Sequence, residues 1–235
     1  MTSPQNIATG STPGYGWPMA GTTGRVAAKK TGAQNAAGNG RAPDESSLTP
    51  KQSDRRRRVI EAAISLATKG GYDAVQMRDV AAEARVALGT LYRYFPSKDQ
   101  LLVAALNEWA EKLRDKQRAR PQKGATKADR VAGVLRGTVR AMERQPKLSA
   151  AFVTALGSLD AEEPGSIERA AQVYLTMSQM IGQAMNGDSL RDQDQLMRVL
   201  GQVWFAVLTF WVRGWSQGIQ MADDLDAAAH LMIRD

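Results

Sequence analysis

Residues 86–98 read Val-Ala-Leu-Gly-Thr-Leu-Tyr-Arg-Tyr-Phe-Pro-Ser-Lys, and residue types at this spacing suit contact with a nucleic acid. Gly89 has no Cβ, so a helix backbone there can approach a base edge closely. Thr90 offers a methyl to a thymine and a hydroxyl to a base or phosphate. Tyr92 and Tyr94 lie two apart and cannot both face one core, so at least one phenol is expected to be free to bond a phosphate. Lys98 opens a helix, where the dipole favours acidic residues. A phosphate bound at that N-terminus would reconcile ammonium, dipole and backbone N–H groups. Leu88 has only apolar contact to give, to a thymine methyl or to Val86.

Two further basic features lie upstream. Arg55, Arg56, Arg57 and Arg58 form an unbroken run. One reading is an arm that clamps backbone phosphates or enters a minor groove, and the plain reading is a solvated, helix-starting charge run. The arm is favoured because the run abuts the motif. Arg78 is balanced between a base or phosphate contact and an ion pair with Asp79 or Glu83.

These residues need elements to hold them, and the pattern is helical from Ser53 onward, with no alternating strand run between turn signals. A first helix is expected over 53–69, carrying Ile60, Ala63, Ile64 and Ala67 at helical spacing and stopped by Gly70-Gly71. Short helices follow over 77–84 and 88–94, and Leu91 and Phe95 should both point into the small core. Pro96 ends the third helix. Ser97, with Gln100 three positions on, reads as a capping box that opens a long helix over 98–118. Further helices are expected over 127–144, 147–158, 166–185, 192–217 and 223–233.

Composition narrows the function classes. Residues 1–50 hold eight of the 21 Gly and five of the 9 Pro, a composition that cannot bury enough surface to offset its ordering entropy, and a disordered tail is expected there. The net charge of +7 is densest over 51–100, where ten basic residues face six acidic ones; such a patch suggests a polyanion partner, nucleic acid or an anionic membrane surface, and its plain reading is a solubilising face. No cysteine is present, so disulfides, thiolate nucleophiles and zinc-finger spacing are excluded. His230 is the only histidine and reads as an ordinary surface or core-edge residue. Without a metal-ligand cluster or a nucleophile–base arrangement, neither an enzyme nor a metal or other cofactor is expected. No signal peptide is evident, and the apolar run 203–212 is too short to span a bilayer. A soluble cytoplasmic protein without membrane association is expected.

Residues 53–98 resemble the DNA-binding domain of the TetR family of bacterial transcriptional repressors. The resemblance rests on Tyr72, on Met77-Arg78-Asp79-Val80-Ala81, and on Gly89-Thr90-Leu91-Tyr92-Arg93-Tyr94-Phe95-Pro96-Ser97-Lys98. It implies an all-α protein in which a three-helix helix-turn-helix domain over 51–98 is joined by a long helix to a helical ligand-binding and dimerisation domain over 99–235. It further implies a homodimer on a palindromic double-stranded DNA operator, released by a hydrophobic small molecule. DNA contacts are expected from Arg55–Arg58, Arg78, Leu88, Gly89, Thr90, Tyr92, Tyr94 and Lys98. Leu88 occupies a position that is often polar in the family.

In the larger half, Trp204, Leu208, Trp211 and Trp215 form one helical stripe that could serve core, dimer interface or pocket wall. Phe152, Leu156, Tyr174, Met177, Met180, Ile181 and Met185 could line a cavity for a large apolar ligand, since methionine adapts to irregular shapes, although ordinary packing is the commoner role of each. Together with Trp204, Leu208 and Trp211 they are the candidate pocket residues. Met142-Glu143-Arg144-Gln145-Pro146, Arg198-Val199 with Val203-Trp204, Trp211 with Arg213, and Leu225-Asp226 with Ala228 are similar to the actinobacterial repressors of sterol and steroid catabolism. That likeness implies a steroid or a sterol-derived acyl-CoA as inducer. The alternatives are a repressor of an efflux or other metabolic operon with an unrelated hydrophobic inducer, and a constitutive DNA-binding protein.

Overall fold

The computed structural model describes residues 48–120, 123–185 and 193–233; the expected tail lies outside them except for its last three residues. The described elements are helices: α1 (Pro50–Gly70), α2 (Met77–Glu83), α3 (Leu88–Tyr94), α4 (Lys98–Arg118), α5 (Lys127–Glu143), α6 (Pro146–Ser158), α7 (Ser166–Ala184), α8 (Gln193–Val212) and α9 (Gly218–Met232).

α1 starts earlier than its apolar pattern predicts. Thr49 and Gln52 form a reciprocal capping box, and Pro50 occupies the first turn. Leu48 packs on the core just before it. The break between α2 and α3 is made by Arg85, whose φ of 55° is left-handed. The amides of Arg85 and Val86 bond back to Ala82 O and Ala81 O, the two bonds of a Schellman stop. α8 ends at Val212 rather than at 217 for the same reason. Gly214 is left-handed (φ 73°), its amide bonds Trp211 O, and that of Trp215 bonds Phe210 O. The ring of Trp215 then packs on Phe210 at 5.6 Å and leaves the Trp204–Trp211 stripe. α9 begins at Gly218 instead of 223.

Two apolar cores organise the described chain. The first takes Val59, Ile60 and Ala63 of α1, Val80 and Ala81 of α2, Leu91 of α3, Phe95 just after it, and Leu101–Ala105 of α4, with Leu148, Ala151, Phe152 and Ala155 of α6. The small domain expected over 51–98 therefore does not close on itself; α4 and α6 complete it. The second core joins α5 and α7–α9, with Met142, Met180, Met185, Met197 and Met221 buried. The segment Asp194–Val212 is long and apolar enough to cross a membrane by length and composition, although the run inside it reads as too short. Only 17% of it is buried, so much of α8 presents an uncovered apolar face.

α5 is opened by a capping box in which Thr126 N donates to Asp129 Oδ2 and Asp129 N donates to Thr126 Oγ1, both at 3.0 Å. His230 of α9 meets the other carboxylate oxygen at 3.1 Å. The Thr126 amide, then His230, hold the Asp129 carboxyl down at about 2. A depressed carboxyl stabilises the folded chain above its unfolded pKa and ceases to do so as the acid is protonated. This contribution is therefore complete above about pH 4 and lost as the pH falls toward about 2. Asp129→Asn is expected to flatten the stability profile across that window, read as the urea midpoint against pH.

Candidate nucleic-acid interface

The third helix is divided lengthwise by its own periodicity. Leu91 (0%) and Tyr94 (3%) are buried, and Leu88 is half-buried on the same core. Gly89, Tyr92 and Arg93 face out, with Tyr92 46% exposed and Thr90 half-exposed beside them. Positions 89, 92 and 93 are related by i+3 and i+4 and share one face. Arg93 was missed as a contact at the sequence level, although its spacing from Gly89 marks it. Tyr94 is a correction: its ring is buried and its hydroxyl is a buried group without a partner, so of the two phenols Tyr92 is the one at the surface.

A Cβ built on Gly89 meets nothing within 4 Å, so no contact within the described chain requires glycine there. Gly89→Ala is expected to raise helix stability by about 0.5–1 kcal/mol while weakening DNA binding through the added methyl. Thermal melting and operator titration on the same preparation check both signs.

The arginine run is not an arm, because all four residues lie inside α1 and successive residues point some 100° apart around a helix. Arg56 turns inward, pairing with Glu108 of α4 at 3.0 Å and lying 5.6 Å from the Phe95 ring centre. Burial raises the Glu108 carboxyl above its ordinary range, against the opposing pull of Arg56 and Lys112. Arg57 is taken up by Asp54 and Glu61, and Arg58 by Asp54 at 3.4 Å. Arg55 remains exposed. With Lys51, Pro50, Asp54 and Arg58 it lines a shallow groove of about 410 Å³. Lys51 joins this surface because α1 begins at Pro50, ahead of the start that the apolar pattern predicts. Arg78 is exposed and makes no ion pair with Asp79 or Glu83 among the described residues.

At the start of α4, Ser97 Oγ accepts from Gln100 N at 3.2 Å. The return half of the expected capping box is absent, because the Gln100 side chain is buried and committed elsewhere. Lys98 Nζ stands 3.7 Å from the Tyr72 ring centre and donates to Tyr72 O at 3.4 Å. The Tyr72 hydroxyl donates to Asp99 Oδ1 at 2.6 Å; burial first, and then the Asp99 bond and charge, push that phenol up.

The candidate pocket residues do not assemble as one set. Phe152 is buried in the first core, 6.2 Å from the Trp109 ring, with Leu156 beside it. Tyr174, Met177, Met180, Ile181, Met185, Trp204, Leu208 and Trp211 belong to the second. Trp211 and Val212 line an open groove of about 330 Å³ with Pro146, Lys147 and Ala150.

An exposed face on a short helix, set after a Schellman turn and braced by a longer helical body, has the form of a helix-turn-helix module. Residues 59–105 match the model of the bacterial regulatory proteins of the tetR family, and residues 124–232 match the tetracyclin repressor-like C-terminal domain. The chain belongs to the TetR family. It is 38% identical over 183 residues to the HTH-type transcriptional repressor KstR of Mycolicibacterium smegmatis, covering 77% of this chain and 88% of that protein. KstR of Mycobacterium tuberculosis is 38% identical over 185 residues, 78% of this chain and 83% of that one. Among solved structures, a TetR transcriptional regulator from Rhodococcus sp. RHA1 superposes with a TM-score of 0.72 at 30% identity, over 79% of this chain and 98% of that one. Thermus thermophilus FadR, solved in complex with lauroyl-CoA, shares the fold at a TM-score of 0.59 and 19% identity, over 77% of this chain and 96% of that one.

Proposed function

We propose that this TetR-family repressor acts as a homodimer on a palindromic operator and is released by a bulky apolar ligand, a steroid or sterol-derived acyl-CoA. The single observation that carries the reading is the division of α3, with Gly89, Thr90, Tyr92 and Arg93 outward and Leu91 and Tyr94 held in the core. In this reading Gly89, Thr90 and Leu88 approach base edges, while Tyr92, Arg93, Arg78, Arg55 and Lys51 hold phosphates. Lys98 joins them only by leaving Tyr72.

Dimerisation is supported by the apolar side chains that α8 and α9 present outward, Phe205, Phe210, Ile219 and Leu231, with Trp215 between the two helices. A two-fold dimer would place the two copies of α3 on half-sites about 34 Å apart, or a multiple of that. Such a repressor works in the cytoplasm, where the DNA is.

The ligand class rests on the resemblance of the larger half to repressors of sterol and steroid catabolism and on the lauroyl-CoA held by the same fold in FadR. The buried methionines of the second core supply side chains that can repack around such a molecule. A constitutive DNA-binding dimer is the second reading, favoured by the division of the candidate pocket residues between two cores. One titration decides between them. A duplex selected by the protein from random sequence is bound, and lauroyl-CoA, stearoyl-CoA and a steroid acyl-CoA are added in turn. Release by the steroid thioester at the lowest concentration is expected; unchanged affinity with all three overturns the sensing half.

A further inference from the structure

The end of α3 is held by a side chain from the opposite half of the sequence. Arg169, in the first turn of α7, donates from Nη2 to Tyr94 O at 3.3 Å and from Nε to Gln100 Oε1 at 3.0 Å. Its guanidinium also lies 5.5 Å from the Phe95 ring centre. Tyr94 O is one of the last carbonyls of α3, which have no partner inside their own helix, and a cation there also suits the helix dipole.

Gln100 completes the arrangement. Its side chain is fully buried, a position costly for an amide unless both of its ends are bonded. Here Nε2 donates to Pro164 O at 3.0 Å and to Ser166 Oγ at 3.4 Å, while Oε1 accepts from Arg169. Gly165 makes the turn between those two acceptors in the left-handed region (φ 87°), and a Cβ built there would stand 3.6 Å from Gln100 Oε1. Ser97 Oγ donates to Glu163 Oε2 at 3.1 Å, and Asn107 Nδ2 donates to Arg169 O at 3.3 Å. The end of α3 and the first turn of α4 are thus bolted to the 160–166 loop and to the start of α7.

We propose that Arg169 and Gln100 are positioning residues for operator recognition. They set the angle at which α3 stands on the domain core, and they pass movement of α7 to it. The inference rests on the DNA-reading role of α3 proposed above. α7 is one continuous helix whose other end carries Met180 and Ile181 into the second core. A ligand that repacks that core shifts α7. The Arg169–Tyr94 bond, already near the limit of hydrogen-bond length, breaks with a displacement of about 1 Å.

The test uses the full chain and a duplex that the parent protein selects from random sequence. Arg169→Met keeps the stem and removes the fork. On the order of tenfold weaker operator affinity is expected, with faster amide exchange over 88–95 and unchanged exchange over α9. Arg169→Lys keeps a cation near Phe95 without the two-way fork, and should fall between parent and Met. It also serves if the Met variant does not fold. Gln100→Leu combined with Arg169→Met should lose less affinity than the two single losses multiplied, because both break the same node. Operator affinity of both Arg169 variants within about twofold of the parent, or unchanged exchange over 88–95, overturns the proposal. If the parent selects no duplex at all, the DNA-reading role itself falls, a result distinct from a failure of the node alone.

Discussion

Phe95→Ala is expected to destabilise the chain by about 3–5 kcal/mol, the cost of emptying a large aromatic site in a packed core. That is a large share of the roughly 5–15 kcal/mol that holds a typical domain together. Phe95 is 1% exposed and sits where α3 ends and α4 has not begun. Its ring lies beside Tyr94 at 6.5 Å, with Arg56 of α1 at 5.6 Å and Arg169 of α7 at 5.5 Å. Each partly desolvated guanidinium over a ring contributes about 0.5–2 kcal/mol, so the alanine loses more than volume. Phe95→Leu retains most of the packing and should cost about 1–2 kcal/mol. Urea unfolding followed by circular dichroism separates the two. A Phe95→Leu protein as stable as the parent would show that the ring and its cations contribute nothing beyond filled space.

Phe210→Arg is expected to convert the proposed dimer to a monomer without unfolding the chain. Phe210 is 50% and Trp215 71% exposed, and their rings are in contact. Ile219 (71%) and Leu231 (79%) add apolar surface on α9. Apolar area of this kind is characteristic of an interface rather than of monomer surface. A charge at the centre of an interface costs 2 kcal/mol or more, which weakens self-association by about 30-fold or more. Sedimentation equilibrium reads the change. Because a two-site operator rewards simultaneous binding, affinity for the selected duplex should fall with it. The variant should still unfold cooperatively, with a melting temperature lowered only by the lost ring contact with Trp215 and by the stabilisation that association supplied. A Phe210→Arg protein that sediments as the parent does would remove α8 from the interface.

Legibility from sequence followed the range of the signals. The bounds of α3 and α4 are those the sequence predicts, because Pro96 and the Ser97 cap act within a few residues of the break they make. The end of α8 was misplaced because the tryptophan stripe continues in phase past Gly214, and a helical period carries no information about a single left-handed residue. The start of α1 is equally local, in Thr49-Pro50-Lys51-Gln52, but a charge run separates it from the apolar period that marks the rest of the helix. Side-chain partners were less accessible. Arg56 reads identically to Arg55 in the sequence, yet one meets Glu108 and the other solvent. The candidate pocket behaves in the same way: Phe152 and Met180 are both large apolar residues on helices, but belong to different cores.

The sequence by itself determined the helical class, the position of the reading helix, the family and the residue types offered to DNA, because caps, breakers and the 3.6-residue period act between near neighbours. Only the tertiary structure decided which of Tyr92 and Tyr94 is outside, that α6 completes the reader's core, and that Lys98 rests on Tyr72. It alone brought Arg169 to the end of α3, across 75 residues of chain. Such pairings are set by how whole helices pack, and helix packing joins residues whose separation in sequence carries no local signal.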